Sequence, residues 1–161
     1  MNELNHHNTQ NQLLLIGIGN SGRSDDGLGW AFVETIAQNE AFIGDTLLRY
    51  QLQIEDAAQI SEYKQVIFVD AHQGKLKKGF SFNQCSAAND FSFTTHRLSP
   101  DTVLHLCREL YEQPPSAYLL LIDGENWELD IGLSQKAQQN LQNALVFFTQ
   151  LFTNHSLTEN A

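Results

Sequence analysis

A chain of 161 residues has the length of one ordinary domain, and 42% hydrophobic residues suffice to bury about 70% of its unfolded surface without cross-links. Nine Lys plus Arg against nineteen Asp plus Glu give a formal charge of −10, which repels phosphate backbones and anionic lipid and argues against nucleic-acid and membrane partners. Cys85 and Cys107 lack the paired spacing of a disulfide framework or a zinc site, no apolar run approaches the roughly 20 residues that span a bilayer, and the polar opening stretch carries no signal-like core, so the expected setting is the cytoplasm.

One folded domain is expected over 13–153, between flexible polar tails at 1–12 and 154–161. Leu13 to Ile18 is a continuous apolar run that ends in Gly17, Gly19 and Asn20, the pattern of a buried parallel strand entering a loop. After the acidic pair Asp25 and Asp26, the spacing of Trp30, Phe32, Val33 and Ile36 predicts a helix. A strand over Thr46 to Gln53, a short helix over Glu55 to Glu62 and a strongly apolar strand over Gln65 to Ala71 repeat the alternation. Gly74 and Gly79 bracket a lysine-bearing turn before a short edge strand, Phe80 to Asn83, and 87–95 reads as a loop. Ser99 and Pro100 supply an N-cap and a first-turn proline for a helix over Asp101 to Tyr111, which Pro114 and Pro115 end. Tyr118 to Asp123 is a further buried strand, and Ser134 caps a final helix with Leu141, Leu145, Phe148 and Phe152 on one face. This order predicts an α/β fold: a single-domain three-layer sandwich, with a mostly parallel open sheet and helices on both faces. Ligands of such sheets bind outside the carboxyl ends of the strands, which directs attention to the loops after Ile18, Val69 and Leu121.

The first loop, GIGNSGRSDDGLG, satisfies G-x-G-x-x-G through Gly17, Gly19 and Gly22. Asp25 and Asp26, however, stand where a pyrophosphate would need a free helix N-terminus. Two readings of that pair remain open. They are a cap and first-turn pair favoured by the helix dipole, or oxygen donors of which one faces the strand ends, since neighbouring helix positions diverge by about 100°. As a cap, Asp25 would tolerate Asn with a stability change well under about 1 kcal/mol.

Asp70 ends the apolar run VIFVD, where a carboxylate is costly unless it is hydrogen-bonded, solvated or metal-bound; it either serves a site or caps its own turn. His72 joins that site or faces water. His96, in TTHRLSP, is either a loop histidine or a ligand returning to the same sheet edge. Asp26, Asp70 and His96 together make an open donor set suited to zinc, nickel or manganese, with positions left for a substrate.

In this order the residues resemble the nickel-iron hydrogenase maturation endopeptidases. That family shows G-x-G-N, a short spacer, D-D-G-x-G or D-E-x-x-G, a strand-terminal Asp and a later His. Here the pieces are Gly17, Gly19 and Asn20, then Asp25, Asp26, Gly27 and Gly29, then Val69, Asp70 and Ala71, then Thr95 and His96. Ile131, Gly132, Leu133 and Ser134 before the last helix are also similar to the family, and the resemblance runs over 13–152. It implies that Asp26, Asp70 and His96 recognise nickel and that Asp26 and Asp70 are the catalytic residues of an aspartyl-type endopeptidase. The implied partner is a nickel-iron hydrogenase large-subunit precursor whose C-terminal extension is removed after nickel insertion. Nickel then comes with the substrate rather than being tightly held by this chain.

Two positions depart from the family pattern. Arg49, Tyr50, Gln51 and Leu52 stand where an Asp-Gly-Gly-Thr-type segment is frequent, and Gly22 occupies an often apolar spacer position. The first leaves open a non-catalytic, nickel-recognising scaffold protein of hydrogenase assembly. The glycine pattern leaves open a nucleotide- or flavin-binding domain.

Overall fold

The computed structural model describes residues 11–87 and 98–154; the expectations placed on the two tails, on the 87–95 loop beyond Ala87 and on His96 lie outside the described residues. Five strands form one sheet. They are β1 (Asn11–Ile18), β2 (Asp45–Arg49), β3 (Tyr63–Gln73), β4 (Phe80–Gln84) and β5 (Ser116–Gly124), in the order β2-β1-β3-β5-β4. All neighbours run parallel except β4, an antiparallel edge strand on β5. The helices are α1 (Leu28–Ala37), α2 (Asp56–Ile60), α3 (Pro100–Tyr111) and α4 (Gln135–Asn154).

Side chains alternate along a strand, so the central strands, covered on both sides, must be apolar at every position. Leu13, Leu15, Ile67, Val69, Leu120 and Ile122 pack with α1 and α4 on one face. Leu14, Ile16, Val66, Phe68 and Ala117 pack with α2 and α3 on the other. The result is the expected three-layer arrangement. Ser99 caps α3 as its sequence predicts, its hydroxyl accepting from the Thr102 N–H at 3.2 Å. Both thiols are shielded: burial, with the Asp101 charge, pushes Cys85 up to about 12, and burial pushes Cys107 up to about 11. Neither is a thiolate nucleophile at neutral pH.

Two elements differ from expectation. The second strand stops at Arg49 instead of continuing to Gln53. Buried Asp56 accepts from Arg49 Nε at 3.0 Å and from the Gln53 N–H at 2.8 Å, which turns the chain into α2 and leaves Leu52 in a lone bridge to Leu98. The first helix begins at Leu28, after a 3₁₀ turn over Ser24–Gly27 that holds the acidic pair. Trp30 also leaves the core face; it is half-buried, and its indole donates to the Arg49 carbonyl at 2.9 Å.

The helix α1 crosses the sheet at close range because its contact point has no side chain. A Cβ on Gly29 would lie 2.4 Å from the Val69 carbonyl oxygen and 2.5 Å from that of Ile18, and one on Gly17 would lie 2.7 Å from the Gly29 carbonyl oxygen. Inside a helix, Gly→Ala ordinarily stabilises by about 1 kcal/mol. Here the sign reverses. Gly29→Ala should destabilise by roughly 2–3 kcal/mol, because the helix must lift off backbone atoms that cannot move aside. Urea unfolding of the wild type and the variant measures the difference.

Candidate active site

The carboxyl edge of the sheet is built from three chain exits: the loop after β1, the end of β3 and the loop after β5. Asp25 joins the first to the third. Its carboxylate is fully buried. Oδ2 accepts from the Glu125 N–H at 2.7 Å, the Asn126 N–H at 2.8 Å and the Ser134 hydroxyl at 2.7 Å, while Oδ1 accepts from the Ser134 N–H at 2.7 Å. The Ser134 oxygen in turn accepts from the Ala137 N–H at 3.1 Å and so caps α4. Asp25 therefore does not cap α1, and the expected tolerance to Asn is corrected. The cap position of α1 is Gly27, without a side-chain bond. Burial by itself raises the Asp25 carboxyl; the bonds from Asn126, Ser134 and Glu125 outweigh it and hold the group below its ordinary 3.8.

Asp26 faces a different environment from its neighbour. It is half-buried and lines a pocket of about 370 Å³ together with Asp70, Arg23, Ala71, Gln73 and Trp127. Its Oδ2 accepts from the Asn20 N–H at 3.0 Å, and its Oδ1 has no hydrogen-bond partner among the described residues. Asp70 combines both roles open to it in the sequence: Oδ1 accepts from the Ala71 N–H at 2.8 Å, and the side chain is also part of the pocket wall. Two carboxylates 44 positions apart in the chain thus share one opening beside the Trp127 ring and the exposed Arg23. Among the described residues no three His, Cys, Asp or Glu side chains gather as a metal site, and the third expected ligand, His96, lies outside the described residues.

His72 does not line this pocket. Its Nδ1 lies 2.7 Å from Asp123 Oδ1, across the register pair His72–Asp123, one before the last pair of β3 and β5. The same carboxylate accepts from the Leu76 N–H. Asp123, Arg23, Gln73 and Trp127 were not singled out in the sequence. Asp123 repeats the pattern of Asp70, a carboxylate at the tip of an apolar strand, and that was the available signal.

The loop after β1 has little to offer a pyrophosphate. The N–H groups of Gly19, Asn20, Gly22, Arg23, Ser24, Asp25 and Asp26 all donate within the chain, to Arg49, Asp26, Asn20, Asn20, Asp130, Asn126 and Arg23 respectively. Gly19, at φ 142°, serves a close approach, since a Cβ there would lie 2.0 Å from the Asp26 carbonyl oxygen. In the departing segment, Arg49 and the Tyr50 ring are tied to the fold. The Arg49 carbonyl accepts from Gly19 and Trp30, and the Tyr50 ring lies 5.0 Å from that of Trp30.

No family model matches the sequence, and no curated protein matches it. Solved structures do. The NiFe hydrogenase maturation protease HycI from Thermococcus kodakarensis superposes with a TM-score of 0.68 at 20% identity, over 89% of this chain and 94% of that one. The hydrogenase maturating endopeptidase HybD from Escherichia coli gives 0.64 at 21%, over 89% and 94%. The hydrogenase 2 maturation peptidase from a Thaumarchaeota archaeon gives 0.64 at 15%, over 89% and 99%. The fold is shared with these proteins.

Asp25→Asn places an amide donor against backbone or hydroxyl donors whichever way the side chain turns, so it should cost roughly 2–3 kcal/mol. Because the wild-type carboxyl is held below 3.8, its contribution is complete above the unfolded value and is lost as pH falls through the lower folded value. Stability of wild type and Asp25→Asn, followed from neutral pH down to about pH 2, should therefore show a gap that narrows only on the acid side of about pH 4.

Proposed function

We propose that this chain is a cytoplasmic endopeptidase of hydrogenase maturation, which removes the C-terminal extension of a nickel-loaded nickel-iron hydrogenase large-subunit precursor. The observation that carries this reading is the pairing of Asp26 and Asp70 on one pocket at the carboxyl edge of a sheet whose fold is that of solved maturation proteases. Two carboxylates and one imidazole suit a borderline divalent cation and leave positions open for a substrate, so such a set holds the ion weakly. Such a site tests whether the precursor brings nickel rather than keeping nickel of its own. In this reading His96 is the third ligand beside Asp26 and Asp70. Asp26 and Asp70 orient the substrate's nickel and the scissile bond, and one of the two carboxylates accepts the proton of the attacking water. Arg23 and Trp127 supply a charged and an apolar wall for the peptide. No helix among the described residues is long and apolar enough to cross a bilayer.

The segment 49–52 favours a second reading. Arg49 there is engaged by Asp56 and the Tyr50 ring packs on Trp30, and a protein that grips a loaded precursor without cutting it would need no more. Mixing the purified protein with nickel-loaded precursor separates the two: a mobility shift of the large subunit supports the endopeptidase, and a stable complex of uncut precursor supports the scaffold.

In that assay Asp26→Asn and Asp70→Asn should each slow processing by at least about a hundredfold with circular dichroism unchanged, since Asn keeps the acceptor used by the Asn20 or Ala71 N–H and removes only the charge. Casein should remain uncut with or without added nickel, because the pocket by itself positions no peptide. Efficient digestion of casein would refute the reading.

A further inference from the structure

The carboxyl edge of the sheet carries a second depression of opposite character. Where β3 leaves the sheet, Asp70, Ala71 and Gln73 border the acidic pocket, and Gly74, Lys75 and Lys78 beyond them line a larger cleft of about 460 Å³. Where β5 leaves it, Trp127 belongs to the pocket and Glu125 to the cleft. The first turns of α4 close the far wall with Lys136, Gln139 and Asn143. Pocket and cleft are therefore neighbours along both chain segments that build them.

The charge of this cleft runs against that of the molecule. The chain has five lysines: Lys64, Lys75, Lys77, Lys78 and Lys136. Three line the cleft and Lys77 sits on the same turn, all four exposed. In a chain with nineteen acidic residues, none of the four makes an ion pair with a carboxylate among the described residues. The Asp123 carboxylate on the cleft floor is already held by His72 and the Leu76 N–H, which leaves Glu125 as the free acid on the wall.

The turn that carries these lysines is anchored. Asn143 Nδ2 donates to the Lys78 carbonyl at 3.3 Å, and the Gly79 N–H donates to that of Leu76 at 3.0 Å. Lys78 itself sits at φ 72°, a left-handed conformation that costs a lysine about 1 kcal/mol and that Gly or Asn would adopt more cheaply.

We propose that this cleft is a binding site for a carboxylate-rich polypeptide segment of the protein substrate, next to the bond presented at Asp26 and Asp70. The proposal rests on the endopeptidase reading for the identity of the substrate and on the cleft itself for the binding. Gln139 Nε2 donates to Asn143 Oδ1 at 3.3 Å, which leaves the Gln139 side-chain carbonyl oxygen to accept from an extended peptide backbone, and the lysines answer its acidic side chains. A phosphate cradle would need free backbone N–H groups, and those of Leu76 and Gly79 are used within the fold. A lipid surface is opposed by the charge of −10. Functionally, the cleft offsets the repulsion between an acidic enzyme and an acidic segment, and it fixes the direction in which the chain crosses the pocket.

The test is fluorescence anisotropy on the full chain with a fluorescein-labelled peptide of alternating glutamate and serine, against its glutamine counterpart. The wild type should bind the glutamate peptide at least about tenfold more tightly, with the difference collapsing at about 1 M salt. Lys75→Gln combined with Lys136→Gln should abolish that preference. Lys64→Glu, which changes the net charge equally but lies at the amino end of β3, should keep it, as should Asp26→Asn. Equal binding of the two peptides, an equal loss in Lys64→Glu, or displacement by inorganic phosphate or phosphatidylserine vesicles at comparable concentration would overturn the proposal. An uncleaved precursor alongside the expected peptide pattern would remove the endopeptidase reading and leave the cleft standing. Normal processing by the double glutamine variant would overturn the cleft's role in binding the substrate and leave the enzyme.

Discussion

A carboxylate with no access to water is tolerable only if donors replace its hydration, and at Asp25 four of them do so within 2.8 Å. The donors come from residues 100 to 109 positions further along the chain. One carboxylate thereby fixes the loop after β1, the loop after β5 and the start of α4 in a single arrangement. Everything at the carboxyl edge depends on this. The Trp127 wall of the pocket belongs to the loop that Asp25 holds, and the lysine and amides of the second depression belong to the helix whose cap it orients through Ser134.

The neighbouring carboxylate has the opposite fate because of local geometry. In the 3₁₀ turn over Ser24–Gly27, adjacent residues project in different directions, so Asp25 points into the fold while Asp26 borders the pocket. The turn is kept tight by glycine on both sides: Gly19 admits the Asp26 backbone, and Gly29 lets α1 lie against Ile18 and Val69. A helix this near to the strand tips brings Asp26 to the same opening as Asp70. Close packing and the site are consequences of the same missing side chains.

These relations explain which features were legible in the sequence. The alternation of apolar runs with helical spacing is a local signal repeated along the chain, so the layer order, the edge character of β4 and the capping by Ser99 and Ser134 could be read directly. Asp70 was legible because a carboxylate at the end of a buried strand is conspicuous. The role of Asp25 was not, since its partners lie more than a hundred residues away and a buried clamp has the same local sequence as a helix cap. The shortening of β2 was hidden for a related reason: the bonds of Asp56 to Arg49 and Gln53 are side-chain choices that no strand propensity encodes. Arg23, Gln73 and Trp127 are unremarkable in sequence and meet only because three loops converge.

The edge of the sheet ends as two depressions of opposite sign, and their separation is what makes each effective. Charges exposed to solvent are screened over about 8–10 Å, so a ligand feels the groups lining its own depression far more than the net charge of the chain. Had the lysines been spread among the nineteen acidic residues, each would have been neutralised by a neighbour and the surface would be uniformly acidic. Gathered on an anchored turn and the start of α4, with no ion pair to a carboxylate among the described residues, they keep a local attraction for anions. Asp26 and Asp70 keep an attraction for cations a few residues away along the same two loops. A ligand carrying a cation at one end and carboxylates at the other meets this edge in one orientation only, because the reversed placement sets like charges against each other at both ends.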